Sequence, residues 1–307
     1  MKKTPLIVVC GPTASGKTSL AIEIAKRYDG EVVSADSMQI YRTMDIATAK
    51  PTENEMQGIK HHMIDVCDIT DNFSVSDYCT AAHKIIEDIV QRGKTPILCG
   101  GTGLYIDSLV DDLDFSQSNE NSSVREELLN RARKNPHELY EELSEKDFEA
   151  ANSIHENNVK RVVRALEHIY LTGEKFSEYK RKAAEKESRY NPLFLMIDWD
   201  RDVLYDRINR RVDIMVHDGL LEEARRIYDL KLPESLTSLS SIGYKELFDY
   251  FDGKCSLDEA LAHIKQSSRR YAKRQLTWFR RNKRIKYVRG IDDTEKIIEE
   301  WRENGEI

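Results

Sequence analysis

Short apolar runs alternate with helical patterns over the first 115 positions of the chain. "LIVVC" (Leu6–Cys10), "EVVSA" (Glu31–Ala35), "HHMIDV" (His61–Val66) and "TPILCGG" (Thr95–Gly101) read as strands, while Ser19–Tyr28, Ser76–Gln91 and the segment from Gly103 onward read as helices. Near-continuous Val/Ile/Leu strands, each followed by a helix, predict a parallel sheet covered on both faces. The texture changes at "FSQSNENSS" (Phe115–Ser123), a polar, hinge-like stretch. From Val124 to about Tyr190 there is no strand signal, and Leu128, Leu129, Leu139, Leu143, Val159, Val162, Val163, Leu166 and Ile169 recur at helical spacing. A charged link, "KRKAAEKES" (Lys180–Ser188), closes this helical insertion, and "PLFLMIDW" (Pro192–Trp199) supplies another buried strand. Helices are then predicted over Arg201–Asp218, Leu220–Leu230, Ser241–Tyr250 and Leu257 to about Arg284. The expected organisation is an α/β core over 1–115, an all-helical insertion over 116–190, and a return to the core over 191–307 with basic C-terminal helices.

Composition narrows the class. No stretch of the 307 residues approaches the ~18 apolar residues of a membrane span, and the one N-terminal apolar run is too short for a secretory signal. The five cysteines are scattered and never form C-x-x-C, which suits a reducing cytoplasm and argues against a disulfide framework or a structural zinc site. The net charge of −7 hides a strong segregation: residues 260–291 hold 11 Lys/Arg and no acid, leaving 36 bases against 54 acids elsewhere. One cationic surface on an acidic body is the electrostatic footprint of a polyanion partner.

"GPTASGKT" (Gly11–Thr18) stands between the first strand and the first helix and satisfies G-x-x-x-x-G-K-[ST] in the context that gives the motif meaning. Its glycines let backbone N–H groups curl around phosphate oxygens at a positive helix end. Lys17 would bridge terminal phosphates, and the Thr18 hydroxyl would ligate Mg²⁺. The fold class expected is therefore a P-loop NTPase-like parallel sheet with a helical insertion domain. Asp65 and Asp198, at the ends of apolar strands, are candidate second Mg²⁺ supports, with turn or cap roles equally open. Asp36 follows the second strand directly, where the strand ends of a parallel sheet line the ligand crevice, and could ligate metal, accept a proton or cap a turn. Arg207 and Arg211 lie four apart on a helix whose apolar stripe is Leu204, Ile208, Val212 and Met215.

The string "VVCGPTASGKT…VVSADSMQIYRTMDIATAKPT…HHMIDV" resembles the opening of the tRNA dimethylallyltransferases (isopentenyl-pyrophosphate transferases). The likeness continues, in order, through "GGTGLYI", "KRVVRALE", "RINRRVDIMVHDGLLEEA", "SSIGYKE" and "AKRQLTWFRR", over nearly the whole chain. The resemblance implies transfer of a dimethylallyl group from dimethylallyl diphosphate to the exocyclic amine of adenosine 37, next to the tRNA anticodon. It reassigns the phosphate loop from a nucleotide to a prenyl diphosphate held by Gly11, Thr13, Ala14, Ser15, Gly16, Lys17, Thr18 and Arg211, with Mg²⁺ on Thr18. Asp36 matches the family's general base, and Arg207 or Arg211 the clamp on the leaving group. Ser37, Met38, Gln39 and Thr102 would line the base pocket. Further tRNA contacts are implied at Arg125, Lys160, Arg161, Arg164, Gly243, Tyr244, Lys245, Lys273, Arg274, Gln275, Trp278 and Arg280. The family pattern also implies a cytoplasmic monomer without a zinc module.

Three other readings compete. A P-loop small-molecule or nucleoside kinase would leave the cationic tract unexplained. A prenyltransferase acting on free adenine nucleotides would need neither the insertion nor the basic helix. A non-catalytic RNA-binding protein would have no use for intact Lys17, Thr18 and Asp36.

Overall fold

In the computed structural model, which describes residues 3–112, 122–185 and 187–306, the chain separates into two compact units. One comprises Met1–Val110 with Arg189–Ile307, and the other Asp111–Ser188.

The first unit runs β1 (Thr4–Cys10), α1 (Lys17–Arg27), β2 (Gly30–Ser34), α2 (Glu53–Met56), β3 (His61–His62), α3 (Val75–Gln91), β4 (Thr95–Gly100) and α4 (Gly103–Val110). The second holds α5 (Ser122–Lys134), α6 (Pro136–Lys146), α7 (Phe148–Ser153), α8 (Val159–Thr172) and α9 (Phe176–Glu185). The chain then returns through β5 (Tyr190–Ile197), α10 (Arg201–His217), α11 (Leu220–Asp229), α12 (Tyr244–Phe251), α13 (Leu257–Phe279), β6 (Lys286–Val288) and α14 (Ile291–Trp301). The strands form one parallel sheet in the order β3-β2-β4-β1-β5-β6.

Alternate residues of each strand point to opposite faces. Ile7, Val9, Val32, Ile97 and Leu195 pack against Leu20, Ala21 and Ile24 of α1 and Ile298 and Trp301 of α14. On the other face Tyr78 of α3 stacks on Tyr105 of α4 at 4.2 Å and donates its hydroxyl to the Ser34 carbonyl. Helices on both faces bury both sides of the strands, which is why these read as continuous apolar runs. The second unit has its own core, built from the helical stripe Leu128, Leu139, Leu143, Val162, Val163 and Leu166.

Several boundaries differ from the sequence reading. "HHMIDV" yields only a two-residue strand, because Met63 and Asp65 take left-handed backbone angles. The final basic helix stops at Phe279, short of the expected Arg284, and "KYV" and the segment after it, to which the sequence pattern assigns no element, form β6 and α14. The hinge-like stretch expected at Phe115–Ser123 lies outside the described residues up to Asn121, as do the 115/116 boundary and Lys186 of the charged link.

The C-terminal ends of β1, β2 and β4 are drawn tightly together, and Gly100 is the reason they can be. A Cβ there would fall 2.2 Å from the Ala35 carbonyl oxygen, which itself receives the Thr102 N–H. At the opposite end of the sheet, Glu31 is almost fully buried and takes a two-pronged contact from Arg92 (2.5 and 2.7 Å) and one from His62 Nε2 (2.7 Å). The Arg92 guanidinium, seconded by His62, outweighs burial and holds the Glu31 carboxyl down at about 2. Because the folded value is depressed, this contribution is complete above the ordinary carboxylate range near 4.5 and fades as pH falls through about 2. Replacing Glu31 by Gln is expected to cost on the order of 1–3 kcal/mol at pH 7. The gap from wild type should narrow below about pH 4.5, checked by urea unfolding across pH 7 to 3.

Candidate active site

The loop after β1 is held from behind by residues far away in sequence. Gly11 (φ +148°), Ala14 (φ +61°) and Gly16 (φ +87°) take backbone angles that fold Gly11–Gly16 into a tight concavity. Ala14 packs on Leu204 and Ile208 of α10 and Ala272 of α13. Its carbonyl accepts Arg207 Nε at 2.9 Å, and the Ser15 carbonyl accepts Trp199 Nε1 at 2.8 Å. The Thr13 N–H donates to Gln275 Oε1 at 2.9 Å, while Gln275 Nε2 donates to the Gly101 carbonyl at 2.9 Å. Gly16, the N-cap of α1, has no side chain of its own to compete with an anion at that helix end. Ser15 Oγ is buried with no hydrogen-bond partner among the described residues.

This loop forms one end of a cavity of about 320 Å³. Thr13, Ala14, Lys17 and Thr18 meet there with Asp36–Gln39, Thr48, Ala49, Thr18's neighbour Cys99, and Ile208, Arg211, Val212 and Met215 of α10. Tyr271, Arg274 and Gln275 of α13 complete the wall. Asp36 Oδ1 caps the turn after β2, accepting the N–H groups of Met38 (2.9 Å) and Gln39 (3.4 Å). Both bonds fall on one oxygen, leaving Oδ2 without a hydrogen bond among the described residues. Thr102 Oγ1 accepts the Ser37 N–H at 3.1 Å. Gln39 is fixed at both ends: Oε1 accepts Ser34 Oγ (3.0 Å), and Nε2 donates to the Thr48 and Ala49 carbonyls (3.3 and 3.1 Å).

Burial lowers the Lys17 ammonium below the ordinary lysine range, with the Arg211 charge adding to the effect and Asp36 opposing it. Burial likewise lowers the Arg211 guanidinium, against the pull of Asp36. Both cations are short of counter-charge, the condition that favours an incoming anion. Burial, then the Asp36 charge, pushes the Tyr271 hydroxyl up to about 12, so it stands protonated at the cavity wall.

The two arginines of the expected clamp have different positions. Arg211 lines the cavity, with Nη2 at 3.5 Å from the Ala49 carbonyl. Arg207 braces the outside of the loop and stacks on Trp199 at 4.6 Å. Neither Asp65 nor Asp198 lines the cavity; Asp65 is paired with Lys50 at 2.6 Å, and Asp198 is exposed at the end of β5.

Among the expected RNA contacts, Lys245, Lys273, Arg274 and Arg280 are exposed, and Gly243 lines the cavity. Tyr244 and Gln275 are buried instead, because their polar atoms are taken by Glu223 and by the two loops described above. Trp278 packs over Gly103, where a Cβ would fall 2.4 Å from the ring, and donates Nε1 to Asp107 at 2.7 Å. In the helical unit, Lys160 and Arg161 are exposed, while Arg125 and Arg164 each reach the buried Glu167 at 2.9 Å. Sequence reasoning missed Tyr271 as a cavity residue, and missed the Thr48 and Ala49 carbonyls altogether. Backbone acceptors carry no side-chain signature, and an aromatic at helical spacing reads as core.

A model of the IPP transferase family matches residues 39–282. The tRNA dimethylallyltransferase of Bacillus pumilus is 48% identical, over 91% of this chain and 88% of its own. The full-length tRNA isopentenylpyrophosphate transferase of Bacillus halodurans superposes with a TM-score of 0.72 at 43% identity, covering 99% of this chain and 97% of that one. A eukaryotic dimethylallyltransferase, described as acting on tRNA, superposes with a TM-score of 0.80 at 32% identity, covering 90% and 70% respectively.

The cavity's charge alone makes a prediction. Lys17→Met should weaken binding of inorganic pyrophosphate by about 10²-fold, and Arg211→Met by about tenfold, as charge-assisted hydrogen bonds to a desolvated anion require. Isothermal titration calorimetry of the purified variants measures both.

Proposed function

The chain belongs to the IPP transferase family, and from that premise we propose that its cavity joins dimethylallyl diphosphate to an adenosine of tRNA. The allylic carbon–oxygen bond breaks, the electron pair leaves with the diphosphate, and the exocyclic amine of adenosine 37 forms the new carbon–nitrogen bond. The observation that carries this reading is the presence, in one cavity, of a phosphate loop, two desolvated cations and a carboxylate with a free oxygen.

Each group has a task in that chemistry. The backbone of Gly11–Gly16, the N-terminus of α1, Lys17 and Arg211 hold the diphosphate and stabilise the negative charge it gains on departure. Arg207 acts through the loop it braces. The amine of adenine is a weak nucleophile because its lone pair is delocalised, so a base must take its proton as the bond forms. Asp36 Oδ2 is that base, and the two N–H bonds to Oδ1 fix its orientation. Thr18, whose side chain lines the cavity with Lys17 and Asp36, is the residue that would hold a hard, oxygen-seeking Mg²⁺. When bound, Mg²⁺ neutralises charge on the leaving diphosphate. Ile208, Val212 and Met215 offer an apolar wall for the five-carbon group.

A base in an anticodon loop is stacked and must be extruded, at a cost of a few kcal/mol. Exposed Arg270, Lys273 and Arg274 on α13, with Arg280, Arg281 and Lys283 beyond it, offset that cost by contacts to RNA phosphates. Arg274 belongs both to this row and to the cavity wall, so the basic surface leads into the site. In the helical unit, exposed Lys160 and Arg161, with Arg125 and Arg164 oriented by Glu167, form a second cationic face. A free mononucleotide needs neither surface. Among the described residues no helix is long and apolar enough to cross a membrane. Among the described residues no cysteine is joined in a disulfide, in keeping with a reducing cytoplasm.

Labelled dimethylallyl diphosphate with Mg²⁺ is expected to label unmodified tRNA and not AMP; label in AMP at equal efficiency would overturn the RNA assignment. Asp36→Ala should lower the single-turnover rate by about 10²–10⁴-fold and leave tRNA affinity nearly unchanged. That affinity should fall steeply with salt, and Lys273→Ala should reduce the slope of log K against log[salt] by about one.

A further inference from the structure

Glu223, in the first turn of α11, is 1% exposed and is not part of the cavity wall. Four donors nevertheless converge on it. Oε2 accepts the backbone N–H groups of Asp45 and Ile46, both at 2.8 Å. Oε1 accepts the Ala47 N–H at 3.0 Å and the Tyr244 hydroxyl at 2.8 Å. Three consecutive backbone donors and a phenol require acceptors on both oxygens, which an ionised carboxylate supplies and an amide does not. The N-terminal turn of α11 favours that negative charge, and the hydrogen bonds offset the cost of burying it.

The backbone held this way is the part of the chain that orients the site. Residues 45–47 lead directly into Thr48 and Ala49, whose carbonyls receive Gln39 Nε2 and, at Ala49, Arg211 Nη2. Gly243, at φ +113°, lets α12 approach closely: a Cβ there would stand 3.3 Å from Ala47 Cβ. The Tyr244 ring is fully buried directly after it.

We propose that Glu223, backed by Tyr244, is a positioning residue for the transfer reaction. It fixes residues 45–47 so that the Thr48 and Ala49 carbonyls aim Gln39 and Arg211 into the cavity. This rests on the reading of that cavity as the transfer site. It also assigns Tyr244 a place behind the site and not on the RNA surface.

Glu223→Gln separates positioning from mere packing. Its shape is preserved, and an NH₂ in the place of Oε1 can donate to the Tyr244 oxygen where the carboxylate accepted from it, but the Ala47 N–H then faces a donor. The loop is released at the end nearest Thr48. The expected result is a loss of about 10²-fold in kcat/KM for tRNA per folded molecule, the scale of a misplacement near 1 Å. In a Gln39→Ala background the same change should cost clearly less than in the wild type, because one of the two groups it orients is gone. Tyr244→Phe, which keeps all three loop bonds, should cost less than Glu223→Gln. Unchanged activity per folded molecule, or independent multiplication of the Glu223→Gln and Gln39→Ala losses, overturns the proposal. If Glu223→Gln does not fold, Glu223→Asp, which keeps the charge and shortens its reach, goes through the same cycle with the same deciding outcomes. Wild-type protein that labels no tRNA would instead contradict the reading of the cavity.

Discussion

Two desolvated cations facing one carboxylate set the terms for everything else in this site. Lys17 and Arg211 are both lowered by burial, and Asp36 is too little negative charge to satisfy them. Such an imbalance costs stability until an anion completes it. The rest of the unit keeps that imbalance in register: Ala14 packed between α10 and α13, Arg207 and Trp199 on the loop carbonyls, and Gln275 spanning Thr13 and Gly101. A loop so anchored reorganises little when charge moves from the allylic carbon to the diphosphate, and preorganised donors are worth most in that situation.

How far the sequence revealed this depended on the range of the interaction. Strand β1, the phosphate loop and α1 were legible because their signal is local: an apolar run, glycines at fixed spacing, a helical stripe. Asp36 was legible as a strand-end acid that could take a proton, hold metal or cap a turn, and only the family resemblance favoured the base, since a carboxylate that caps its own turn looks the same on paper. The structure adds that the capping uses only Oδ1. Strand β6 was not legible, because three residues flanked by charges carry no periodicity. Gln275 and Tyr244 could not be placed either: their partners are far away in the chain, Thr13 and Gly101 for one and Glu223 for the other. The 1% exposed Glu223 sits in a charged helical pattern that predicts solvent.

The basic residues divide along similar lines. Arg270, Lys273 and Arg274 stay on the surface of α13, whereas Ala272 and Phe279 are buried as their phase requires. Arg125 and Arg164 share Glu167, which trades part of their charge for a fixed direction. Charge counting therefore overstates their contribution to long-range attraction and understates their contribution to geometry.

We propose one role for the phosphate loop: it grips a leaving group, not a nucleotide awaiting hydrolysis. Its most direct test is stoichiometry: inorganic pyrophosphate released and adenosine modified, counted together in one reaction containing tRNA, Mg²⁺, dimethylallyl diphosphate and ATP. One pyrophosphate is expected for each dimethylallylated adenosine, with ATP left intact. ATP turnover without prenyl transfer would contradict it.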